Sequence, residues 1–341
     1  MPRRQPVMLI HGFGGHPSLW TNTGFLEALV RLADLDPDLV HLFHYGLDAD
    51  GEYNAYEDIR LLARRLTAGP AVRPEDARSQ VRRLSEKSRA RGGAAEVIII
   101  AFSMGGLIAR YWMSCRQPDR FGTLFDAPVK ALITVGTPHL GIFLAEIADL
   151  VPHFWQKWVL NVVEWLPFPR GQPATVVRLW QERLEAMQRM ALGELVPDLD
   201  VFRSPALHQL QPDSDFLRRL NRPESWPAGV DAGLIWGDIR LAMRVMCGAR
   251  TLWRQNVSFG DLVVSARSAS TLVGARVRWR YALVNEMEVE VPLDKVDDLI
   301  MPQAATFDLP DLLPPEQHNN LVKQESVHRT VARWVVELAP P

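Results

Sequence analysis

Short apolar runs alternate with amphipathic stretches in the first part of the chain. The runs fall at residues 7–10, 39–45 and 97–102 and just before Gly136, and each has the length of a strand that is buried on both faces. Apolar residues recur at helical spacing in two stretches, residues 54–66 and 74–91. Strands that alternate with helices predict an α/β fold with a doubly wound, mostly parallel sheet, and they predict ligands at the carboxyl ends of the strands.

The alternation lapses in the middle of the chain. There, PHFWQKWVLNVVEWLPF places Trp155, Trp158 and Trp165 on one helical face, and ATVVRLWQERLEAMQRMAL repeats the amphipathic pattern. We expect residues 141–225 to form a helical cap, or lid, inserted between two parts of the sheet domain, residues 1–140 and 226–341. Such stripes are typical of packed helices, and they would also suit tryptophans that line a pocket or meet a lipid surface.

Beyond the cap the alternating pattern resumes. Apolar runs predict a strand at about residues 233–237 and another within 275–284. Helical spacing predicts a closing helix within 321–338. The C-terminal part of the chain is therefore expected to complete the sheet domain.

The net charge and the apolar runs of the chain limit the classes of ligand and the cellular location that we expect. The formal net charge is -2, from 38 basic and 40 acidic residues, which gives no electrostatic reason to expect nucleic acid or an acidic membrane surface. No apolar run approaches the roughly twenty residues of a membrane span, and the first run ends at His11, short of a signal-peptide core. We expect a cytoplasmic protein, secreted if a leader was removed, that acts on a neutral or apolar small molecule.

Ser103 occupies a predicted corner between a strand and a helix. The apolar run ends at Phe102, and from Met104 onward apolar residues recur at helical spacing. A corner this sharp strains its central residue and requires small neighbours two positions away on either side. Ala101 and Gly105 meet that requirement. The corner presents the serine hydroxyl as a nucleophile or, as the alternative, the serine merely caps the helix.

The segment AFSMG resembles the nucleophile elbow of the α/β-hydrolase superfamily, G-x-S-x-G, with Ala101 in the place of the first glycine. HGFGG near the N-terminus and GDLVVSARSA in the second half resemble segments of bacterial lipases and carboxylesterases, of the lecithin-acyltransferase-like and triacylglycerol-lipase-like types. The resemblance extends from Pro6 to about Trp334. It implies the α/β-hydrolase fold and a serine hydrolase that acts on carboxylic esters. We expect no cofactor, and no residue is assigned as a metal ligand.

A catalytic serine needs a histidine to accept its proton and an acid to orient that histidine. In this superfamily both follow the serine, the acid first. Resemblance to a GDG-V-x-x-x-SA stretch assigns Asp261 as the acid, and Asp238, directly after the strand GLIWG, is the alternative. His318, on a Pro-rich loop before the last helix, is the expected base. His328, within that helix at a spacing typical of a solvated surface, is the alternative base.

Backbone N–H groups stabilise the negative charge that forms on the carbonyl oxygen during serine attack. The resemblance assigns two such donors, the amide of Phe13 in HGFGG and the amide of Met104 at the start of the elbow helix. A glycine-rich phosphate cradle is the alternative role of HGFGG, but this sequence lacks the glycine spacing of dinucleotide and P-loop fingerprints. His139, in TPHLG, is expected to be structural.

The sequence thus predicts a lipase or carboxylesterase that cleaves acyl esters of apolar or lipid-like substrates through Ser103, His318, Asp261 and an acyl-enzyme. A thioesterase or acyltransferase would use the same residues with a different acceptor. A non-catalytic relative would bind apolar ligands beneath the cap. The three cap tryptophans are candidates for substrate binding, and the cap is a candidate for transient contact with a lipid surface.

Overall fold

The computed structural model describes residues 2–46, 56–67, 78–142, 204–258, 260–292 and 317–339. Most of the predicted cap, with Trp155, Trp158 and Trp165, lies outside these residues, so the cap stays a prediction. Helices and strands are numbered in chain order within the described residues.

Seven strands of the described residues form one sheet. They are β1 (Val7–Ile10), β2 (Val40–Phe43), β3 (Val97–Phe102), β4 (Val129–Val135), β5 (Asp231–Cys247), β6 (Arg250–Ser258) and β7 (Arg276–Pro292). Their order is β2, β1, β3, β4, β5 and β6, and β7 pairs with the other edge of β5. Every neighbouring pair is parallel except β5 with β6. The prediction of a mostly parallel sheet is confirmed.

Helices cover both faces of this sheet. They are α1 (Leu19–Asn22), α2 (Phe25–Ala33), α3 (Ile59–Thr67), α4 (Gln80–Ala90), α5 (Met104–Ser114), α6 (Pro205–Gln209), α7 (Asp215–Leu220), α8 (Ala266–Ser270) and α9 (Glu325–Leu338). Successive strand residues face opposite sides: Ile99 of β3 shares a core with α3, α4 and α5, and Ile100 shares a core with α1, α2 and α9. An apolar core on each side is the doubly wound arrangement. No described helix is long and apolar enough to cross a membrane.

Strands β5 and β7 extend well beyond the end of β4. β4 pairs with β5 only as far as Ile235, and from Arg240 the same edge of β5 pairs with β6 in a hairpin that turns at Gly248. We call residues 240–258 and 286–292 the distal ribbon. The sequence predicts only a short part of β5 and no strand at β6, although polar and apolar residues alternate along 286–291 of β7 as in a two-sided ribbon.

Helices α6 and α7 fall in the last part of the predicted cap and bring the chain back to the sheet. Leu207 of α6 and Leu217 of α7 belong to the core that also contains residues of β3 and α5. The backbone N–H of Ile142 donates to the carbonyl oxygen of Leu210 (2.8 Å). The segment after β4 and the segment that returns to the sheet therefore lie side by side.

His328 is buried between α9 and α2, where the sequence predicts a solvated position. Its exposed fraction is 7%, and its ring lies edge-on to Phe25 with centroids 5.1 Å apart. Its Nε2 donates to the carbonyl oxygen of Val322 (2.8 Å). The prediction of a surface histidine is wrong. Helix α2 covers the face of α9 that carries His328, and the spacing of apolar residues within α9 does not indicate this contact.

Candidate active site

Ser103 lies at the corner between β3 and α5, in a backbone conformation that residues other than glycine rarely adopt. Its φ is 52° and its ψ is -130°. Ser103 N donates to Val135 O (2.8 Å), and the Thr137 hydroxyl donates to Ser103 O (2.9 Å), so the strained residue is held on both sides. The serine side chain makes no capping hydrogen bond to α5. The helix-capping alternative is therefore wrong.

The first turn of α5 passes very close to the ends of two strands. A Cβ added to Gly105 would lie 2.3 Å from His11 O, and a Cβ added to Gly106 would lie 2.2 Å from Thr137 Oγ1. Real Cβ atoms do not approach so closely, so these positions suit glycine. The close approach sets Ser103 beside the loops that follow β1 and β4.

The structure brings Ser103, His318 and Asp261 into contact. His318 Nε2 lies 2.8 Å from Ser103 Oγ, and His318 Nδ1 lies 2.8 Å from Asp261 Oδ2. Since a carboxylate only accepts, Nδ1 carries the hydrogen and Nε2 presents a lone pair to the serine hydroxyl. The backbone N–H of His318 also donates to Asp261 O (3.0 Å). All three residues are buried, with exposed fractions of 6, 2 and 0%, which shields these hydrogen bonds from water.

A tight turn after β6 presents the Asp261 carboxylate. A Cβ added to Gly260 would lie 2.1 Å from Val264 O, so the turn has no room for a side chain there. The second carboxylate oxygen, Oδ1, accepts from the backbone N–H groups of Val263 (3.1 Å) and Val264 (2.7 Å). Leu262 has a φ of 73°. This conformation favours glycine, which is the residue at this position in the motif that the segment resembles.

Helix α8 connects the turn that carries Asp261 to the loop that follows β4. Ser265 caps α8 by accepting a hydrogen bond from Ser268 N (3.1 Å). The hydroxyl of Ser268 donates to Gly141 O (2.8 Å) and accepts from Leu140 N (3.0 Å). The loops that follow β4 and β6 are thereby joined beside the contact between the acid and the histidine.

Asp238, the alternative acid, has other partners. It is buried within β5, where Arg240 Nε donates to its Oδ2 (2.6 Å) and the Ser258 hydroxyl donates to its Oδ1. The bond from Ser258 joins β5 to β6 at the base of the distal ribbon, and the bond from Arg240 lies within β5. Of the two candidate acids, the structure brings Asp261 to His318.

Both residues assigned as oxyanion donors adjoin Ser103. Met104 follows it as the first residue of α5, and the N–H groups of a first helical turn have no acceptor within the helix. Phe13 follows Gly12, on which an added Cβ would lie 2.8 Å from the Cβ of Ser103. Gly14, with a φ of 61°, then turns the chain back. Two backbone amides next to a serine hydroxyl can stabilise a developing oxyanion.

A buried polar network lies behind the site, centred on His139 and Arg110. His139 Nδ1 accepts from Arg110 Nη1 (3.2 Å), and its Nε2 lies 3.2 Å from the Thr134 hydroxyl. Arg110 Nη2 donates to Leu220 O (3.0 Å) and to Asn221 Oδ1 (2.8 Å). Burial lowers the pKa of Arg110 to about 9 and lowers that of His139 well below its usual value. An arginine within the otherwise apolar run LIARYWM is the signal for this network that sequence reasoning missed.

Three histidines lie beside the loop after β1. The ring centroid of His44 is 4.8 Å from that of His16 and 6.2 Å from that of His11. Burial lowers the pKa of His11 to about 3, and burial followed by the nearby His16 lowers that of His44, so both rings are neutral near pH 7. Within the part of the chain that the structure describes, no three histidine, cysteine, aspartate or glutamate residues are arranged to hold a metal ion.

Residues 7–336 match the Alpha/beta hydrolase family. The chain belongs to this family, because the match covers most of the length of the chain. The resemblance stated from the elbow and its flanking motifs is confirmed, and so is the predicted fold class.

Solved structures with similarity to this chain include bacterial lipases and a phospholipase. Lipase BlEst2 from Bacillus licheniformis, in mature form, is 14% identical with a TM-score of 0.40, over 100% of this chain and 94% of that one. Lipase 1 from Pelosinus fermentans is 12% identical with a TM-score of 0.41, over 99% and 100%. Phospholipase PlaB from Legionella pneumophila is 14% identical with a TM-score of 0.39, over 98% of this chain but 63% of that one, so this chain spans less than two thirds of its length. No curated protein sequence matches.

Proposed function

We propose that this protein is a serine ester hydrolase of the lipase or carboxylesterase type. Ser103 is the nucleophile, His318 is the general base, and Asp261 orients His318. The observation that carries the proposal is the continuous path from Ser103 Oγ through both ring nitrogens of His318 to Asp261 Oδ2, with 2.8 Å at each of its two contacts. Membership of the Alpha/beta hydrolase family supports it.

Catalysis begins when His318 Nε2 accepts the hydroxyl proton of Ser103 as Oγ attacks the ester carbonyl carbon. The carbonyl electron pair moves to the oxygen, to which the amides of Phe13 and Met104 donate. The intermediate collapses as the imidazolium protonates the leaving oxygen, so an alcohol departs and an acyl-enzyme remains. A water that loses its proton to His318 then releases the acid and restores Ser103. Asp261 stays ionised and stabilises the imidazolium.

The surroundings of the site favour an uncharged acyl group. Phe13 packs edge-to-face against Tyr56, with ring centroids 5.0 Å apart, and Phe102 packs against the ring of His318 at 4.9 Å. Apolar surroundings of this kind favour acyl chains over charged groups. We therefore propose apolar or lipid-like esters as substrates. The cap tryptophans stay a prediction for further substrate contacts.

Hydrolysis of p-nitrophenyl esters tests the proposal. Ser103→Ala and His318→Ala are each expected to lower kcat at least about a thousandfold, because they remove the nucleophile or its base. A fluorophosphonate should label wild-type protein at Ser103, located by peptide mass spectrometry, and should not label Ser103→Ala. Full activity in Ser103→Ala would overturn the proposal.

The acid is tested in the same assay by a matched pair of variants, Asp261→Asn and Asp238→Asn. Both remove a buried carboxylate near the base of the distal ribbon. Asp261→Asn is expected to lower kcat by a factor on the order of 10³–10⁴, because an amide no longer holds the productive tautomer of His318. Asp238→Asn should stay close to wild type, and a larger loss there would reassign the acid.

Two further measurements separate related activities. Rates across a series of acyl lengths distinguish an esterase from a lipase. Product analysis with added alcohol or thiol acceptors distinguishes hydrolysis from acyl transfer, since the acceptor is selected by pocket shape and water exclusion. Binding of apolar esters without turnover or fluorophosphonate labelling would favour the non-catalytic alternative.

A further inference from the structure

The carbonyl oxygen of Gly12 accepts three hydrogen bonds. The donors are His11 Nδ1 (3.1 Å), Gly15 N (3.1 Å) and the hydroxyl of Tyr45. Since a carbonyl oxygen only accepts, the hydrogen of the neutral His11 ring is on Nδ1. Three donors on an oxygen with two lone pairs hold its peptide group firmly in place.

The same peptide group carries the N–H of Phe13, the proposed oxyanion donor. A peptide is planar and trans, so the Gly12 C=O and the Phe13 N–H point in opposite directions. Hydrogen bonds that fix the direction of the oxygen therefore also fix the direction of the N–H. Donors on the oxygen polarise the amide as well, which strengthens the N–H as a donor.

The parallel pairing of β1 with β2 places Tyr45 against this loop. Phe43 at the end of β2 pairs with Ile10 at the end of β1, so the loops that follow both strands leave the same edge of the sheet. The buried Tyr45 ring stacks on the ring of His11, with centroids 4.0 Å apart and planes at 16°. Its hydroxyl also lies 3.2 Å from His11 O. The stacked rings thus fix the position of the hydroxyl at the Gly12 carbonyl.

We infer that Tyr45 is a positioning residue for the oxyanion hole. Its hydroxyl holds the Gly12 carbonyl oxygen, so that the amide of Phe13 is aimed at the oxyanion and strengthened as a donor. The inference rests on the proposed function. A residue in this role affects the transition state and not the bound ester, because charge on the substrate oxygen develops only during attack.

Tyr45→Phe removes the hydroxyl and keeps the stacked ring. Its kcat is expected to fall about tenfold, a part of the 10²–10³-fold cost of losing an oxyanion donor, while KM stays unchanged. A boronic acid that forms a tetrahedral adduct with Ser103 should bind more weakly by the same factor, since the adduct resembles the transition state. Tyr111→Phe is the matched control and should leave all three constants unchanged, because that hydroxyl bonds to Asp119 near the other end of α5.

An unchanged kcat in Tyr45→Phe, or a loss carried by KM alone, would overturn the positioning role if wild type hydrolyses esters. A wild type that neither turns over esters nor reacts with a fluorophosphonate would overturn the proposed function instead. If Tyr45→Phe does not fold, His11→Phe removes the other side-chain donor to the same carbonyl. A tenfold loss in kcat alone would then support the inference, and an unchanged kcat would overturn it.

Discussion

Two residues of the candidate active site adopt left-handed backbone conformations without being glycine. Ser103 has a φ of 52° and Leu262 a φ of 73°. Such a conformation costs on the order of 1–2 kcal/mol and persists where the surroundings fix it. At Ser103 it presents the hydroxyl. At Leu262 it closes the turn that directs two backbone N–H groups to the Asp261 carboxylate.

A pair of variants separates strain from packing at Leu262. Leu262→Gly and Leu262→Ala both lose the half-buried side chain, but only alanine retains the strain, because glycine adopts a positive φ freely. The glycine variant is expected to have the higher free energy of unfolding in urea, by about 1 kcal/mol. Ala95→Gly, at a position without a positive φ, is the control and should lower that free energy. A less stable glycine variant at position 262 would show that the leucine is unstrained.

Motifs led sequence reasoning to Ser103, Asp261 and His318, and their contacts now support the proposed roles. The sequence left Asp238 open as the acid because Leu262 departs from the motif around Asp261, while Asp238 directly follows the predicted strand GLIWG. Which aspartate reaches His318 depends on the hairpin of β5 and β6, because Asp238 lies within β5 and Asp261 follows β6. No motif in the sequence points to Tyr45. Its inferred role depends on the contact of its hydroxyl with Gly12 O, in a loop more than thirty positions earlier in the chain.

At the scale of elements, β3 and the start of α5 were predictable to the residue. Their limits are visible in the local sequence, because an unbroken apolar run ends at Ser103, two residues before a glycine pair. The distal ribbon was not predictable in the same way. Its strands pair beyond the sheet core, so charged residues interrupt their apolar residues and no strand is one apolar run.

The glycines of α5 are required by neighbouring elements and not by helix formation. Gly106→Ala would add about 1 kcal/mol of stability in an isolated helix, but here its Cβ would lie 2.2 Å from Thr137 Oγ1. We expect the free energy of unfolding in urea to fall by about 1–3 kcal/mol, since overpacking outweighs propensity. Adding Thr137→Gly removes the clashing atoms, so the double variant should lose less than the sum of the single variants. Additive losses would contradict this contact.

At the scale of the whole molecule, Arg110 joins the core helix α5 to the loop after β4 and to the segment that returns from the predicted cap. Within the described residues it forms no ion pair with a carboxylate. Its partners are neutral acceptors that would lose their donor without it. A buried cation of this kind therefore stabilises the relative positions of three segments that are distant in the sequence.

Arg110→Ala is expected to lower the free energy of unfolding by at least about 2 kcal/mol, because unsatisfied acceptors and a cavity outweigh relief of the buried charge. Arg116→Ala is the matched control. That exposed arginine also donates to two carbonyl oxygens of the returning segment, those of Glu224 (3.1 Å) and Trp226 (3.0 Å). Arg116→Ala should lower the free energy of unfolding by about 0.5 kcal/mol or less. Equal costs by urea denaturation would show that the Arg110 network does not depend on burial.

Asp261 and His318 are tied to each other by two hydrogen bonds, one between backbones and one between side chains, neither of which involves Ser103. Esterification of the serine would leave this pair in place. The imidazole would already face the newly formed ester when the second half-reaction starts. In the proposed mechanism, deacylation then proceeds without rebuilding this pair, which would activate the incoming water.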